Sequence, residues 1–111
     1  MEREIEAYMR KAVEDLGGVF FKFVSPGNDG VPDRIAVLPG GSVIFIELKD
    51  DHGKVSQLQE WQIGRLLKRG CVARVVRGMK EAQEVVRMMK AAVPVMPEEY
   101  AGGADPWRMD K

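Results

Sequence analysis

The run Val43–Leu48 limits the possible folds more than any other segment, because its residues are almost continuously apolar. Such a short apolar run predicts a buried strand, and this one is hydrophobic enough to lie in the middle of its sheet. Alternation along the strand places Glu47 and Lys49 on one face and the aliphatic side chains on the other. The chain must therefore build its core around a strand from which a carboxylate and an ammonium emerge together.

Helical and strand patterns follow one another on the N-terminal side of this run. Apolar residues recur at helical spacing from Ile5 to Leu16, and Gly17-Gly18 is typical of a helix C-terminus. Val19–Val24 is β-branched and aromatic and precedes the turn-forming residues 25–30, which predicts a strand and then a loop. Ile35–Leu38 is a further short apolar run, which predicts a second strand ahead of the central one.

The C-terminal half alternates in the same way. Ser56 and Gln59 have the form of a capping box, so a helix is predicted from Gln57 to Arg69, closed by Gly70. We expect four of its side chains to face the core: Leu58, Trp61, Leu66 and Leu67. A fourth strand and a third helix follow, Val72–Val76 and Lys80–Ala92, the helix with Ala82, Val85, Val86 and Met89 on one side. The order αβββαβα predicts one α/β domain over residues 1–93 and a tail, 94–111, whose Tyr100 and Trp107 we expect to dock on the body or on a second subunit.

Composition excludes several classes of protein. The chain has one cysteine, Cys71, and one histidine, His52, so neither a disulfide framework nor a Cys/His zinc cluster is possible. Net charge is zero, with 17 basic and 17 acidic residues, which argues against a partner held mainly by phosphate charge, although residues 1–93 are mildly basic with a net charge of +2. Apolar runs fall far short of the ~18 residues of a spanning helix, and Met1 leads into charged residues rather than a signal peptide. We therefore expect an intracellular protein without membrane attachment.

A second carboxylate, Asp33, lies immediately before the strand that pairs with the Glu47 strand in a predicted hairpin. Asp33 can meet Glu47 only if paired residue numbers sum to 80, which requires an odd loop such as Pro39-Gly40-Gly41. A two-residue Gly40-Gly41 turn would give 81 and place Asp33 on the other face unless a bulge restored it. We expect the odd loop, and two carboxylates brought together there could hold Mg²⁺ or Mn²⁺.

Each of these residues also has an ordinary structural explanation. A turn residue accounts for Asp33 taken alone, and a strand-end ion pair accounts for Glu47 with Lys49. On the first helix Glu2 and Glu6 lie at the border of the apolar stripe, where either could lean into a site beside the sheet or remain a solvated charge. Only the combination of these carboxylates with Lys49 favours a functional site.

Several motifs taken in order resemble the PD-(D/E)XK nuclease superfamily, and more closely its small stand-alone VRR-NUC nucleases of phages and bacteria. They are Gly30-Val31-Pro32-Asp33, Glu47-Leu48-Lys49, Ser56 to Gln59 and Gly70, within the order αβββαβ. The resemblance covers roughly residues 2 to 90. It implies a restriction-endonuclease-like core, in which helices flank a mixed four-stranded sheet.

The resemblance also implies a metal site. Asp33 and Glu47 would be the ligands, joined by the backbone carbonyl of Leu48, and Lys49 would position or activate the attacking water and offset phosphate charge. The family's helix-one acid falls on Glu6, with Glu2 as the alternative. Gln59 matches the glutamine that opens the family's second helix, although its place in the capping box explains it equally well.

The substrate implied by the resemblance is DNA. Stand-alone members are regarded as dimeric, Mg²⁺- or Mn²⁺-dependent endonucleases of Holliday junctions, so we expect a homodimer acting on branched DNA. Lys22, Arg34 and Lys54 are the expected phosphate contacts, with further candidates among Arg65, Lys68 and Arg69. Cleavage of flaps or of duplex DNA without structural preference is an alternative, as is a catalytically idle DNA-binding module on the same fold.

Overall fold

The computed structural model describes residues 2–94, which form three helices and four strands in the predicted order αβββαβα. In chain order they are α1 Glu2–Asp15, β1 Val19–Lys22, β2 Arg34–Val37, β3 Val43–Lys49, α2 Gln57–Lys68, β4 Val72–Arg77 and α3 Gly78–Ala92. In this part of the chain no helix is both long enough and apolar enough to cross a membrane. The expectations for Tyr100, Trp107 and the rest of 95–111 lie outside the described residues.

The four strands form one mixed sheet in the order β1-β2-β3-β4. β1, β2 and β3 are antiparallel neighbours, whereas β4 runs parallel to β3. A parallel neighbour requires a crossover, and α2 supplies it. The prediction that β3 lies inside the sheet is confirmed, with Ile46 and Leu48 almost completely buried.

The hairpin between β2 and β3 has the predicted odd loop. Arg34 pairs with Ile46, and the Leu38 N–H donates to the Ser42 carbonyl at 2.8 Å, so paired numbers sum to 80. The loop is Pro39-Gly40-Gly41, in which both glycines adopt positive φ (93° and 90°), a conformation that other residues rarely accept. This register places Asp33, one residue before β2, opposite Glu47.

The main core lies between one face of the sheet and the helices α1 and α3. α1 buries Ile5, Met9 and Val13, and α3 buries Ala82, Val85 and Met89, as their spacing predicts. These side chains pack on the aliphatic face of the sheet, which includes Phe20, Ala36, Ile46, Leu48 and Val76. α2 lies against the opposite face, the one that carries Glu47 and Lys49.

The prediction for the buried face of α2 is wrong. Leu58, Trp61 and Leu67 are 46%, 57% and 52% exposed, and Leu66 is only half-buried. The residues that α2 buries are Gln62 and Ile63. In this orientation Gln59 hydrogen-bonds to Glu47 on the sheet and Gln62 to the Asp29 carbonyl in the loop before β2, contacts that a pattern of apolar residues does not predict.

Element boundaries also differ from prediction by one or two residues. β2 is Arg34–Val37 instead of Ile35–Leu38, β3 ends at Lys49 instead of Leu48, and β4 ends at Arg77 instead of Val76. β1 ends at Lys22 instead of Val24, although the Phe23 N–H still donates to the Asp33 carbonyl at 2.9 Å. α2 ends at Lys68, one residue earlier than expected. α3 begins at Gly78, two residues earlier than expected, and a Glu81 carboxylate oxygen accepts from the N–H of the preceding residue, Arg77, at 2.9 Å.

Candidate functional site

Asp33 and Glu47 lie side by side at the end of the β2–β3 ladder. The two are opposite each other in the register, and the charge of Asp33 acts on the Glu47 carboxyl. Asp33 is oriented by Oδ1, which accepts a hydrogen bond from the Leu48 N–H at 3.2 Å. The side chain that precedes β2 is therefore held against the backbone of β3, directly beside Glu47.

The Glu47 carboxylate is nearly inaccessible to solvent, with 4% of the residue exposed. Burial raises its pKa, and the neighbouring Asp33 charge raises it further, whereas Lys49 acts in the opposite direction. The Lys49 Nζ lies 3.5 Å from Glu47 Oε2, and the lysine side chain is 20% exposed. Two carboxylates and one ammonium thus share a site in which Glu47 is buried and the Asp33 side chain is 37% exposed, and an added cation would offset the net negative charge there.

Gln59 forms the predicted capping box and also contacts Glu47. Its side-chain oxygen accepts from the Ser56 N–H at 3.0 Å, and its own N–H donates to Ser56 Oγ at 3.1 Å, which completes the capping box. Its side-chain nitrogen donates to Glu47 Oε2 at 3.2 Å. The cap of α2 therefore also orients a hydrogen-bond donor toward the buried carboxylate.

A cleft of about 500 Å³ opens beside Asp33. Its walls come from α1, from the ends of β1 and β2, and from β3; among its residues are Glu2, Glu6, Arg10, Lys22, Arg34 and Leu48. The predicted phosphate contacts Lys22 and Arg34 thus border the cleft next to Asp33. Lys54, the third, is exposed but lies outside the set of residues that line the cleft.

The two glutamates of α1 have different surroundings. Glu6 is bound by two arginines, with Oε2 at 2.7 Å from Arg10 Nη2 and 3.0 Å from Arg34 Nε. Hydrogen bonding to Arg10 is the main reason that the pKa of Glu6 is lowered, with Arg34 adding to it. Glu2 is exposed, and its charge contributes to the raised pKa of Glu47. Both glutamates therefore line the cleft with Asp33, but Glu6 is engaged in ion pairs with Arg10 and Arg34.

Arg34 connects this ion-pair cluster to the carboxylate pair. Its Nη1 donates to the backbone carbonyl of Asp33 at 3.0 Å and lies 3.6 Å from Asp33 Oδ2. Only 12% of its side chain is exposed. Arg34 is therefore positioned to hold Asp33 in place, and little of its guanidinium remains available to a phosphate.

The donors at this site suit a hard divalent cation. Asp33 and Glu47 supply carboxylate oxygens, and the Leu48 carbonyl belongs to the same strand, which is the oxygen-rich chemistry that Mg²⁺ and Mn²⁺ prefer. Across residues 2–94 there is no group of three or more His, Cys, Asp or Glu side chains placed to hold a metal ion. An ion here would accordingly depend on two carboxylates, with carbonyl and water oxygens completing its coordination.

Comparison with known proteins decides the family. No family model matches the sequence. A curated protein of Acyrthosiphon pisum secondary endosymbiont phage 1, "Putative nuclease p44", is 42% identical over 69 residues, which is 62% of this chain and 74% of that protein. A solved structure described as "VRR_NUC domain" is 31% identical, with a TM-score of 0.73 over 78% of this chain and 94% of that one. The chain belongs to the VRR-NUC family.

A further solved structure, described as "VRR_NUC domain protein", shares the fold of this VRR-NUC chain. Its TM-score is 0.64 at 18% identity, and the match covers 83% of this chain and 89% of that one. The predicted fold class is therefore confirmed, with a mixed four-stranded sheet between helices as the VRR-NUC architecture.

Sequence reasoning missed two polar residues of this VRR-NUC chain, Arg10 in the cleft and Gln62 on α2. Arg10 holds Glu6 and also donates to the Phe20 carbonyl at 2.8 Å, which fastens α1 to β1. Its position four residues after Glu6 was the available signal, because such residues are neighbours on a helix. Gln62 is 5% exposed, and its spacing of three residues from Gln59 placed both on one helix face.

Proposed function

We propose that this VRR-NUC protein is a Mg²⁺- or Mn²⁺-dependent endodeoxyribonuclease that hydrolyses phosphodiester bonds in Holliday junctions or other branched DNA. The observation that carries the proposal is the juxtaposition of Asp33 and Glu47 beside Lys49, next to an open cleft. The name of the phage relative, a nuclease, supports the reaction class. The preference for branched DNA rests on the resemblance described above.

The chemistry needs clustered charges of this kind. A divalent ion held by Asp33, Glu47 and the Leu48 carbonyl would supply an activated water and stabilise the charge that develops on the phosphate. Lys49 offers a mobile positive charge with three donors, suited to the phosphate or the attacking water. Gln59 fixes the Glu47 carboxylate, and the Leu48 N–H and Arg34 fix Asp33.

On α1 the proposed acid at the site is Glu2. The resemblance alone favoured Glu6, but both oxygens of Glu6 are bound by arginine: Oε1 by Arg10, and Oε2 by Arg10 and Arg34. Releasing Glu6 toward a metal would break these charged hydrogen bonds, which typically contribute about 1.5–3 kcal/mol each. Glu2 carries no such cost and already acts electrostatically on Glu47.

We further propose that the protein acts as a homodimer. With 17 basic and 17 acidic residues, one copy has no excess positive charge with which to hold a duplex. Two copies related by a twofold axis would join two clefts, each bordered by Lys22. Two catalytic sites in that arrangement suit paired cuts on a symmetric junction.

Cleavage of an end-labelled four-way junction, compared with linear duplex of the same sequence, tests the proposal. Reactions contain Mg²⁺, Mn²⁺ or chelator, with wild type, Glu47→Gln and the matched control Glu84→Gln, which changes an exposed glutamate of α3. We expect paired junction cuts that need metal, survive Glu84→Gln and disappear in Glu47→Gln. Equal cutting of all substrates would contradict junction preference, and no cutting under any condition would contradict the nuclease.

A further inference from the structure

A second cavity, of about 310 Å³, lies between α2 and the sheet face that carries Glu47. Phe23 and Phe45 contribute an aromatic wall, with ring centroids 6.0 Å apart and planes at 63°. Both residues are only half-buried, because α2 places Gln62 and Arg65 as well as Leu66 along this part of the sheet and leaves the cavity between them. Aromatic surface that would normally be covered by a helix is therefore open to a ligand.

Gln62 builds the wall on the helix side. Its side-chain nitrogen donates to the Asp29 carbonyl at 3.0 Å, and its side-chain oxygen accepts from Arg65 Nη1 at 3.2 Å. With 5% exposure, it is a satisfied polar group that joins α2 to the loop before β2. These two hydrogen bonds of Gln62 fix the side of the cavity that α2 contributes.

The rim of the cavity is positively charged. Arg65 and Arg69 both line it and both are exposed, and none of the described residues that line it is acidic. The Arg65 guanidinium lies 4.7 Å from the centre of the Trp61 ring, a cation–π contact that restrains it. Arg69 uses one nitrogen to donate to the Arg65 carbonyl at 2.9 Å, which leaves other donors free for an anion.

An aromatic wall beside two arginines matches one nucleotide, whose base stacks on aromatic rings and whose phosphate pairs with guanidinium groups. Two elements link the cavity to the Asp33–Glu47 site. Phe45 and Glu47 are two residues apart on one face of β3, roughly 7 Å along the strand, and Gln62 lies one turn after Gln59 on α2. We infer that this cavity binds an unpaired nucleotide of the DNA substrate near the cleavage site.

This inference rests on the proposed function for the identity of the polymer and adds the feature of the DNA that is recognised. In an intact duplex every base is stacked and paired, so the faces of its rings cannot stack on protein side chains. Branch points, gaps and single-stranded ends present bases that can leave the stack. Phe23 and Phe45 would therefore favour DNA interrupted by an unpaired nucleotide, whatever its sequence.

Binding of fluorescently labelled DNA, followed by anisotropy in chelator so that no cleavage occurs, tests this site. The two probes are a duplex and the same duplex with one unpaired nucleotide. Wild type is compared with Phe23→Leu, with the double variant Arg65→Gln/Arg69→Gln, and with the control Lys80→Gln, an exposed charge of α3 outside the cavity. We expect wild type and Lys80→Gln to favour the interrupted duplex by about tenfold or more, and both cavity variants to lose most of that preference.

Equal affinity of wild type for the two probes would overturn the inference, as would a preference that survives in both cavity variants. The arginines are exposed, so their replacement leaves the core intact even if Phe23→Leu proves unstable. A failure of the proposed nuclease activity can be told apart from a failure of the nucleotide site. Preference without cleavage in Mg²⁺ or Mn²⁺ would leave the nucleotide site standing, and cleavage with unchanged preference in the variants would remove the site alone.

Discussion

Gln59 donates to Glu47 Oε2 from one end of its amide and accepts from the Ser56 N–H at the other, at 3.2 and 3.0 Å. The amide oxygen satisfies a free N–H at the start of α2, and the nitrogen faces a buried carboxylate. Neither contact leaves the amide free to flip, because a flipped amide would place oxygen against oxygen at Glu47. Helix capping and site geometry are therefore joined in one side chain.

Gln59→Glu separates these two contributions. Glutamate at this position can still accept from the Ser56 N–H, since a capping box takes either residue, so the cap is kept and any loss of stability comes from repulsion between the new carboxylate and Glu47. The donor to Glu47 is lost and a third negative charge arrives, so cleavage should fall roughly a hundredfold. Melting temperature and initial cleavage rate measure the two effects.

Ser56→Ala is the matched control for that variant. Removing the cap hydroxyl should lower stability by about 1 kcal/mol, whereas the Gln59 nitrogen can still reach Glu47. Cleavage below the melting transition should then stay within a few-fold of wild type. If Ser56→Ala loses as much activity as Gln59→Glu, the donor contact is not what matters at this position.

Glu47→Gln should raise the stability of the metal-free protein at pH 7, by an amount of order 1 kcal/mol. Burial, reinforced by Asp33, raises the Glu47 pKa, so ionisation at neutral pH costs folding free energy that a neutral amide does not. The advantage should shrink as pH falls and the wild-type carboxyl takes up a proton. Thermal melts in chelator across pH 4–8 measure it, and Mn²⁺ should raise the melting temperature of wild type only.

Glu6→Gln should have the opposite effect on stability. The pKa of Glu6 lies below its usual 4.5, mainly through Arg10, so its charge stabilises the fold above that pH. We expect a loss of about 1–3 kcal/mol near pH 7. That loss should disappear as the pH falls through the lowered pKa. Glu2→Gln is the comparison, and we expect it to reduce cleavage with little change in stability. If cleavage is lost in Glu6→Gln and kept in Glu2→Gln, Glu6 is the α1 acid of the site.

Lys49→Ala should reduce turnover far more than DNA binding. The Lys49 ammonium lies 3.5 Å from Glu47 Oε2, a proposed metal ligand. We therefore expect Lys49 to act on the phosphate that reacts at that metal and to contribute little to the affinity for the rest of the DNA. A fall in kcat of roughly a hundredfold, with Kd for DNA within about threefold, is the expected split. Lys54→Ala, outside the cleft, should affect Kd instead. A Lys49 variant that weakens only binding would make this lysine a phosphate contact.

The position of Asp33 opposite Glu47 could be predicted from sequence because the register of a hairpin follows from the length of its loop. Gly40 and Gly41 accept the positive φ that a short hairpin loop needs, and an odd loop brings Asp33 opposite Glu47. The buried face of α2 could not be predicted in the same way. The partner of Gln62 is the Asp29 carbonyl, 33 residues away, and no periodicity within a helix reports such a contact.

The choice between Glu2 and Glu6 was open for a similar reason. Both lie at the border of the α1 apolar stripe, so helical geometry alone treats them alike. What separates them is Arg34, which reaches Glu6 across 28 residues of sequence. Tertiary ion pairs of this kind depend on the packing of α1 against the sheet.

Pro32 precedes Asp33, and continuation of the β2–β3 register would pair it with Leu48. Proline has no N–H, so Pro32 cannot donate to the Leu48 carbonyl, and the hydrogen bonds between β2 and β3 end before this pair. The Leu48 N–H is taken instead by Asp33 Oδ1. A missing backbone donor therefore ends the sheet at this point and leaves a main-chain oxygen without a β2 partner, next to the two carboxylates that face each other there.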